Sequence, residues 1–212
     1  MIELNKSPLN TGDNPLSEED IQIVTELFVI YCKAFKAGVR VPGARSKDNI
    51  ARIIPDWERC IDKERLMHLY NKPMPLDTNN HKNLIQGRNI KELKKPIEDI
   101  ASILEKKWDK AEHSGEHYYP RTGFMGWHTN ASAPCERLYI TYSDTGESFF
   151  RYYDEENDEI ITDWDNPGLT FRLFPITDKP PHFWHCVGSN CNRFSLGYRL
   201  NQRKRRPFRG RA

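Results

Sequence analysis

The sequence predicts an α+β protein: a helical first half followed by an antiparallel β-sandwich or jelly roll. Two observations carry this. Before about residue 110 the apolar residues recur at spacings of three and four, and after about residue 117 the chain breaks into short β-prone runs separated by turn clusters. A third sets the class: 212 residues with 37% hydrophobic and 29% charged content describe a globular chain long enough to bury its own core.

Residues 1–16 show no periodicity and read as an irregular lead-in. Ser17 followed by Glu18, Glu19 and Asp20 is a helix start, a capping hydroxyl and then acids at the positive end of the dipole. Ile21, Val24, Leu27, Phe28, Tyr31 and Phe35 fall on one face, and Gly38 is expected to stop the helix. A second helix is expected from near Pro55 to about Tyr70, followed by a long loop over 71–90. The third has Pro96 in its first turn, Glu98 and Asp99 next, and Lys106, Lys107 and Lys110 at its far end. Ile97, Ile100, Ala101, Leu104 and Trp108 form its apolar stripe.

The expected strands are Arg137–Ser143, Ser148–Tyr153, Glu159–Trp164, Gly168–Phe174, His182–Val187 and Arg193–Leu200, with turns at SDTGE, DEENDE and TDKPP. This divides the chain into a helical region over 1–116 that supports the core, a jelly-roll core over 117–200, and a basic tail over 201–212. The formal net charge is +2; the tail holds six cations and no acid, so residues 1–200 carry −4. Such a tail suits nucleic acid phosphates, and equally a solvated terminus.

The longest apolar run, Leu27 to Cys32, is far shorter than the ~20 residues that span a bilayer. No secretory signal opens the chain, and five cysteines without regular spacing suit a reducing compartment. The expected location is the cytoplasm, that of a host cell if the protein is viral.

Chemistry-bearing residues cluster in the β half. In Gly126-Trp127-His128-Thr129-Asn130 a strand would place His128 and Asn130 on one face. A second histidine, His185, follows in Trp184-His185-Cys186-Val187, and eight residues later comes Arg193-Phe194-Ser195. There Phe194, Leu196, Tyr198 and Leu200 face one way while Arg193, Ser195 and Gly197 face the other. A face of Arg and Ser is costly in an apolar core and sensible beside an anion.

This ordered set resembles the Fe(II)/2-oxoglutarate-dependent oxygenase superfamily, prolyl-hydroxylase-like members in particular. The resemblance also touches Arg137-Leu-Tyr-Ile-Thr-Tyr, Gly146 with Phe149-Phe150-Arg151, and Gly168-Leu-Thr-Phe, and spans roughly residues 117–200. It implies a double-stranded β-helix with the N-terminal helices packed on its major sheet. It implies Fe(II) held by His128, Asn130 and His185, and 2-oxoglutarate with its C5 carboxylate on Arg193 and Ser195. Tyr119, nine positions before His128, matches a tyrosine that hydrogen-bonds the cosubstrate; it also reads as ordinary core. The implied reaction hydroxylates a C–H bond, releasing succinate and CO2, on a protein side chain or a nucleic acid. The departure is Asn130, where the family carries a carboxylate. Three arrangements are open: a weak amide ligand, a vacant position as in halogenating relatives, or lost catalysis. A similar Gly-Trp-His-Thr-Asn pattern occurs in oxygenase-like proteins of tailed phages.

Arg172 lies opposite the apolar Leu169, Phe171 and Leu173, so it either reaches substrate or is solvated. Trp127 and Trp184 are expected to pack against the sheet. Two alternatives remain: a jelly-roll binding protein without catalysis, and a structural zinc site from His182, His185, Cys186 and Cys191. Adjacent His185 and Cys186 point to opposite sides of a strand, which disfavours zinc.

Overall fold

The computed structural model describes residues 5–8, 16–40, 54–71 and 82–201. The basic tail at 203–211 and most of the lead-in lie outside the described residues.

Helix α1 (Glu18–Arg40) begins where Ser17 Oγ accepts from Asp20 N at 3.1 Å. It runs through Gly38, which is therefore no stop. A Cβ at Gly38 would sit 2.5 Å from Ile90 Cγ2, so the glycine lets the loop carrying Ile90 approach the helix. The single helix expected from Pro55 is two pieces, a 3-10 turn at Trp57–Ile61 and α2 (Lys63–Tyr70). Asp62 breaks between them in extended conformation and caps α2 by accepting from Arg65 N at 2.7 Å. Within the expected 71–90 loop, β2 (Lys82–Asn83) and β3 (Ile85–Gln86) add short strands to the sheets. A 3-10 turn at Lys91–Leu93 leads into α3 (Lys94–Leu104). That helix ends before Lys106 and Lys107, and Lys106 instead bonds Asp20 of α1.

The strands are β1 (Asn5–Pro8), β4 (Lys110–Tyr119), β5 (Gly123–His128), β6 (Cys135–Ser143), β7 (Ser148–Asp154), β8 (Glu159–Trp164), β9 (Gly168–Ile176), β10 (His185–Ser189) and β11 (Arg193–Asn201). The texture thus changes at Lys110 rather than at 117, and β10 begins at His185 rather than His182. Two antiparallel sheets face each other, ordered β1-β9-β6-β11-β4-β3 and β2-β5-β10-β7-β8. In chain order β4, β6, β9 and β11 fall in the first sheet and β5, β7, β8 and β10 in the second, with β7 and β8 a hairpin, which is the jelly-roll, or double-stranded β-helix, topology.

Alternation along β11 sorts its residues as the sequence suggests. Phe194, Leu196, Tyr198 and Leu200 join Leu138, Ile140 and Phe171 in a core against Val24, Phe28, Tyr31 and Phe35 of α1 and Ile97, Ile100 and Leu104 of α3. Each such large apolar side chain contributes about 1.5–3 kcal/mol by leaving water. Two hydrogen bonds fix the helices on this sheet: Tyr31 Oη donates to Ser195 O and Tyr198 Oη to Ile97 O.

The other sheet is covered by Trp57, stacked on Phe124 and Phe149, with Ile61, Leu66, Trp127, Trp184 and Cys186 around it. The two tryptophans beside the histidines therefore pack outside the barrel. Between the sheets lies a third core of Leu84, Tyr119, Met125, Phe150, Phe174, Ile176, Phe183 and Val187. Among the described residues no helix is long and apolar enough to cross a membrane.

Candidate active site

Strict alternation would not put His128 where it is. Met125 faces the inter-sheet core, so His128, three positions later, would face outward. The register between β5 and β10 shifts here: His185 pairs with His128, but Val187 pairs with Met125, leaving Gly126 and Trp127 opposite Cys186 alone. This bulge sends Trp127 outward and turns His128 in.

The two imidazoles then meet as cross-strand partners, ring centroids 4.1 Å apart and buried at 2% and 0% exposure. His128 Nδ1 lies 2.8 Å from Gly126 O, and His185 Nδ1 lies 2.9 Å from Phe183 O. A carbonyl only accepts, so each Nδ1 carries a proton, and in the neutral ring the lone pair lies on Nε2. Phe150 and Phe183 stack on the His185 ring and Phe174 meets it edge-on. Burial among them, then the charge of His128, pushes the His185 pKa well below its usual value, so it is neutral at pH 7.

Asn130 arrives by another route than the sequence suggests. Strand β5 ends at His128, and Asn130 takes a left-handed conformation, φ 57°, which Asn tolerates. The turn brings its Nδ2 within 3.1 Å of His185 Nε2, and its side chain also bonds Tyr139. The amide can thus donate to the histidine lone pair; rotated, it presents its oxygen there instead. Among the described residues no cluster of three or more His, Cys, Asp or Glu side chains could hold a metal, so a cation here has two imidazoles and an amide. The zinc set does not converge: Cys186 lies in the outer core, and Cys191 bonds Ser143 and Ser189.

Arg193 is 1% exposed and inward, paired with Tyr119 of β4 and Ser143 of β6. Its Nε donates to Asp165 Oδ2 at 2.8 Å, and its guanidinium carbon sits 5.1 Å from the centre of the Tyr119 ring. Both terminal amines are buried without a hydrogen-bond partner among the described residues. Arg172 is neither solvated nor at the cavity. At 0% exposure it bonds Asp165 Oδ1 through Nη1 and Asp163 Oδ2 through Nε. Ser148 Oγ completes the shell of Asp165. Burial alone would raise the Asp165 pKa, but Arg193 and Arg172 outweigh it and hold the carboxyl well below the usual range.

A cavity of about 110 Å³ is lined by His128, Asn130, Tyr119, Tyr139 and Ser195, with His117, Arg137, Lys82 and Arg88. Arg193 and His185 lie buried beside it rather than in its wall; Asp165 draws the arginine aside. Burial, then Lys82, His128, Arg193 and Arg88, push the His117 pKa down to about 3.

Sequence reasoning missed Asp165, Arg137, Tyr139 and His117. Asp165 sits in a stretch, TDWDNPG, that looks like an ordinary turn. The signal available for it was indirect, two inward arginines on strands that both flank β6 and that need a buried acid.

No family model matches the chain, and no curated protein matches it in sequence. Among solved structures it is similar to a prolyl-4-hydroxylase of Pseudomonas putida, at 11% identity over 94% of this chain and 92% of that one, with a TM-score of 0.45. It is similar to a prolyl hydroxylase from Trichoplax adhaerens solved with a hypoxia inducible factor peptide, at 11% identity, 94% and 83% coverage and a TM-score of 0.44. A 2OG-Fe(II) oxygenase family oxidoreductase from Burkholderia pseudomallei aligns at 12% identity over 70% of this chain and 83% of that one, TM-score 0.40.

Proposed function

We propose that the protein is an Fe(II)- and 2-oxoglutarate-dependent oxygenase that hydroxylates a C–H bond. One observation carries the reading: two buried imidazoles, each with Nδ1 held by a backbone carbonyl and Nε2 left for another role, share a barrel interior with a buried arginine whose two terminal amines lack partners among the described residues. Each unmet buried donor costs about 1–3 kcal/mol, so the site is complete only with an anion.

In this reading His128 and His185 hold the metal, and Asn130 turns its amide oxygen toward it. Arg193 binds the C5 carboxylate of 2-oxoglutarate through its two terminal amines, with Ser195 and Tyr119 alongside. Bound Fe(II) and 2-oxoglutarate would supply the oxidising chemistry, O2 being consumed as the cosubstrate becomes succinate and CO2 and the substrate is hydroxylated. The protein's share is positional. Gly126 O and Phe183 O fix the two tautomers, and Phe150, Phe174 and Phe183 keep water from His185. Asp165 holds Arg193 by its Nε and so aims the other two nitrogens.

Calorimetry under anaerobic conditions with Mn(II) in place of iron tests this. The protein is expected to bind Mn(II) and then 2-oxoglutarate, and Arg193→Ala to weaken the second step by about 100-fold, two charge-assisted hydrogen bonds being lost. Binding of neither overturns the reading.

A further inference from the structure

The barrel holds a second group of cations that 2-oxoglutarate would leave unused. On β6 the inward residues are Arg137, Tyr139, Thr141 and Ser143, in register with Arg199, Gly197, Ser195 and Arg193 of β11. Arg137 and Arg193 therefore stand six positions apart along the sheet, about 20 Å at ~3.3 Å per residue. With one carboxylate on Arg193 and its other end at the metal between His128 and His185, a five-carbon diacid leaves Arg137 unmet.

Arg137 lines the cavity at 6% exposure, and its Nε has no hydrogen-bond partner. The side chain bonds the Cys135 thiol, a weak acceptor, and no ion pair reaches it among the described residues. Lys82 and Arg88 line the same cavity, also without an ion pair among the described residues. The one acid in the lining, Glu116, is turned away. It pairs with Leu196, whose side chain lies in the helix-facing core, and its carboxylate is 2.9 Å from His113 Nε2. Burial lowers the His117 pKa most, and Lys82, His128, Arg193 and Arg88 around it lower it further. This concentration stands out on residues 1–200, whose formal charge is −4.

A guanidinium buried this far without a countercharge is costly and becomes favourable when an oxyanion meets its planar fork. We propose that the primary substrate is a small anion whose carboxylate or phosphate group is bound by Arg137, with Lys82 and Arg88 at the rim, while its reacting carbon faces His128 and His185. The cavity volume, about 110 Å³, suits such a group and not a nucleic acid strand. The proposal rests on the oxygenase reading for what occupies Arg193, but its test does not.

The test follows the Arg137 Nε–H resonance by NMR in the full-length protein loaded with Zn(II) and saturating 2-oxoglutarate. Inorganic phosphate and acetate are titrated separately, to distinguish phosphate from carboxylate recognition. At least one is expected to give a saturable shift, and Arg137→Gln to weaken binding at least tenfold while 2-oxoglutarate affinity stays within twofold. Should Arg137→Gln fail to fold, the double variant Lys82→Gln/Arg88→Gln, at two exposed positions, is expected to weaken binding severalfold and flatten its salt dependence. No saturable anion site, or phosphate and acetate binding unchanged by these substitutions, overturns the proposal. If 2-oxoglutarate does not bind at all, the oxygenase reading fails separately. The phosphate titration alone, comparing Arg137→Gln with Arg193→Gln, then decides whether Arg137 is the anion site.

Discussion

Replacing Asp165 with Asn removes the carboxylate that two buried guanidinium groups share. Asp165 and Arg193 side chains are each 1% exposed and 2.8 Å apart, so solvent cannot replace the lost charge. Arg172 keeps Asp163 at 2.6 Å, which confines the damage mainly to Arg193. Breaking one side of a buried pair costs about 3–5 kcal/mol. In urea, with a slope of ~2 kcal/mol/M, the unfolding midpoint should fall by roughly 1.5–2.5 M with the slope unchanged. The pH dependence has a definite sign. The folded carboxyl is held well below the usual range, whereas the unfolded one titrates near about 3.9. The contribution is therefore complete above about pH 5 and is lost as pH falls toward the folded pKa. The stability gap between wild type and Asp165→Asn should stay flat from about pH 5 to 8 and shrink below. A midpoint change under about 0.5 M, the size expected of an exposed pair, or a gap that widens in acid, would refute the buried-network argument.

Two further substitutions probe other parts of the site. Asn130→Asp places a carboxylate where the amide lies 3.1 Å from His185 Nε2, and should tighten Mn(II) binding at least about tenfold by calorimetry; unchanged affinity removes residue 130 from the metal site. Gly188→Ala would push a methyl to 2.5 Å from Phe149 Cζ and 2.6 Å from Trp57 Cζ3. It should cost about 1–3 kcal/mol, lowering Tm by roughly 3–10 °C, and an unchanged Tm would contradict the packing of Trp57 on the sheet.

The elements legible in the sequence are those whose exposure alternates between apolar core and its opposite. Strand β11 was readable because Phe194, Leu196, Tyr198 and Leu200 all face the helices. Strand β4 was not, because KAEHSGEHYY carries no apolar alternation. Its inward residues Gly115 and His117 wall a polar cavity instead of a core, so no apolar periodicity is required of them. Gly38 misled for a related reason: a glycine can end a helix or admit a neighbour, and only the position of Ile90 decides.

By itself the sequence indicated the α-then-β order, the packing of Trp127 and Trp184 against a sheet, and His128, Asn130, His185, Arg193 and Ser195 as candidate site residues. Those are local properties of residue type and spacing. The tertiary structure alone decided the bulge that turns His128 inward, the left-handed turn that carries Asn130 to His185, and the convergence of Asp165, Arg172 and Arg193. Each depends on which strands become neighbours, and a buried charge finds its partner across strands rather than along the chain.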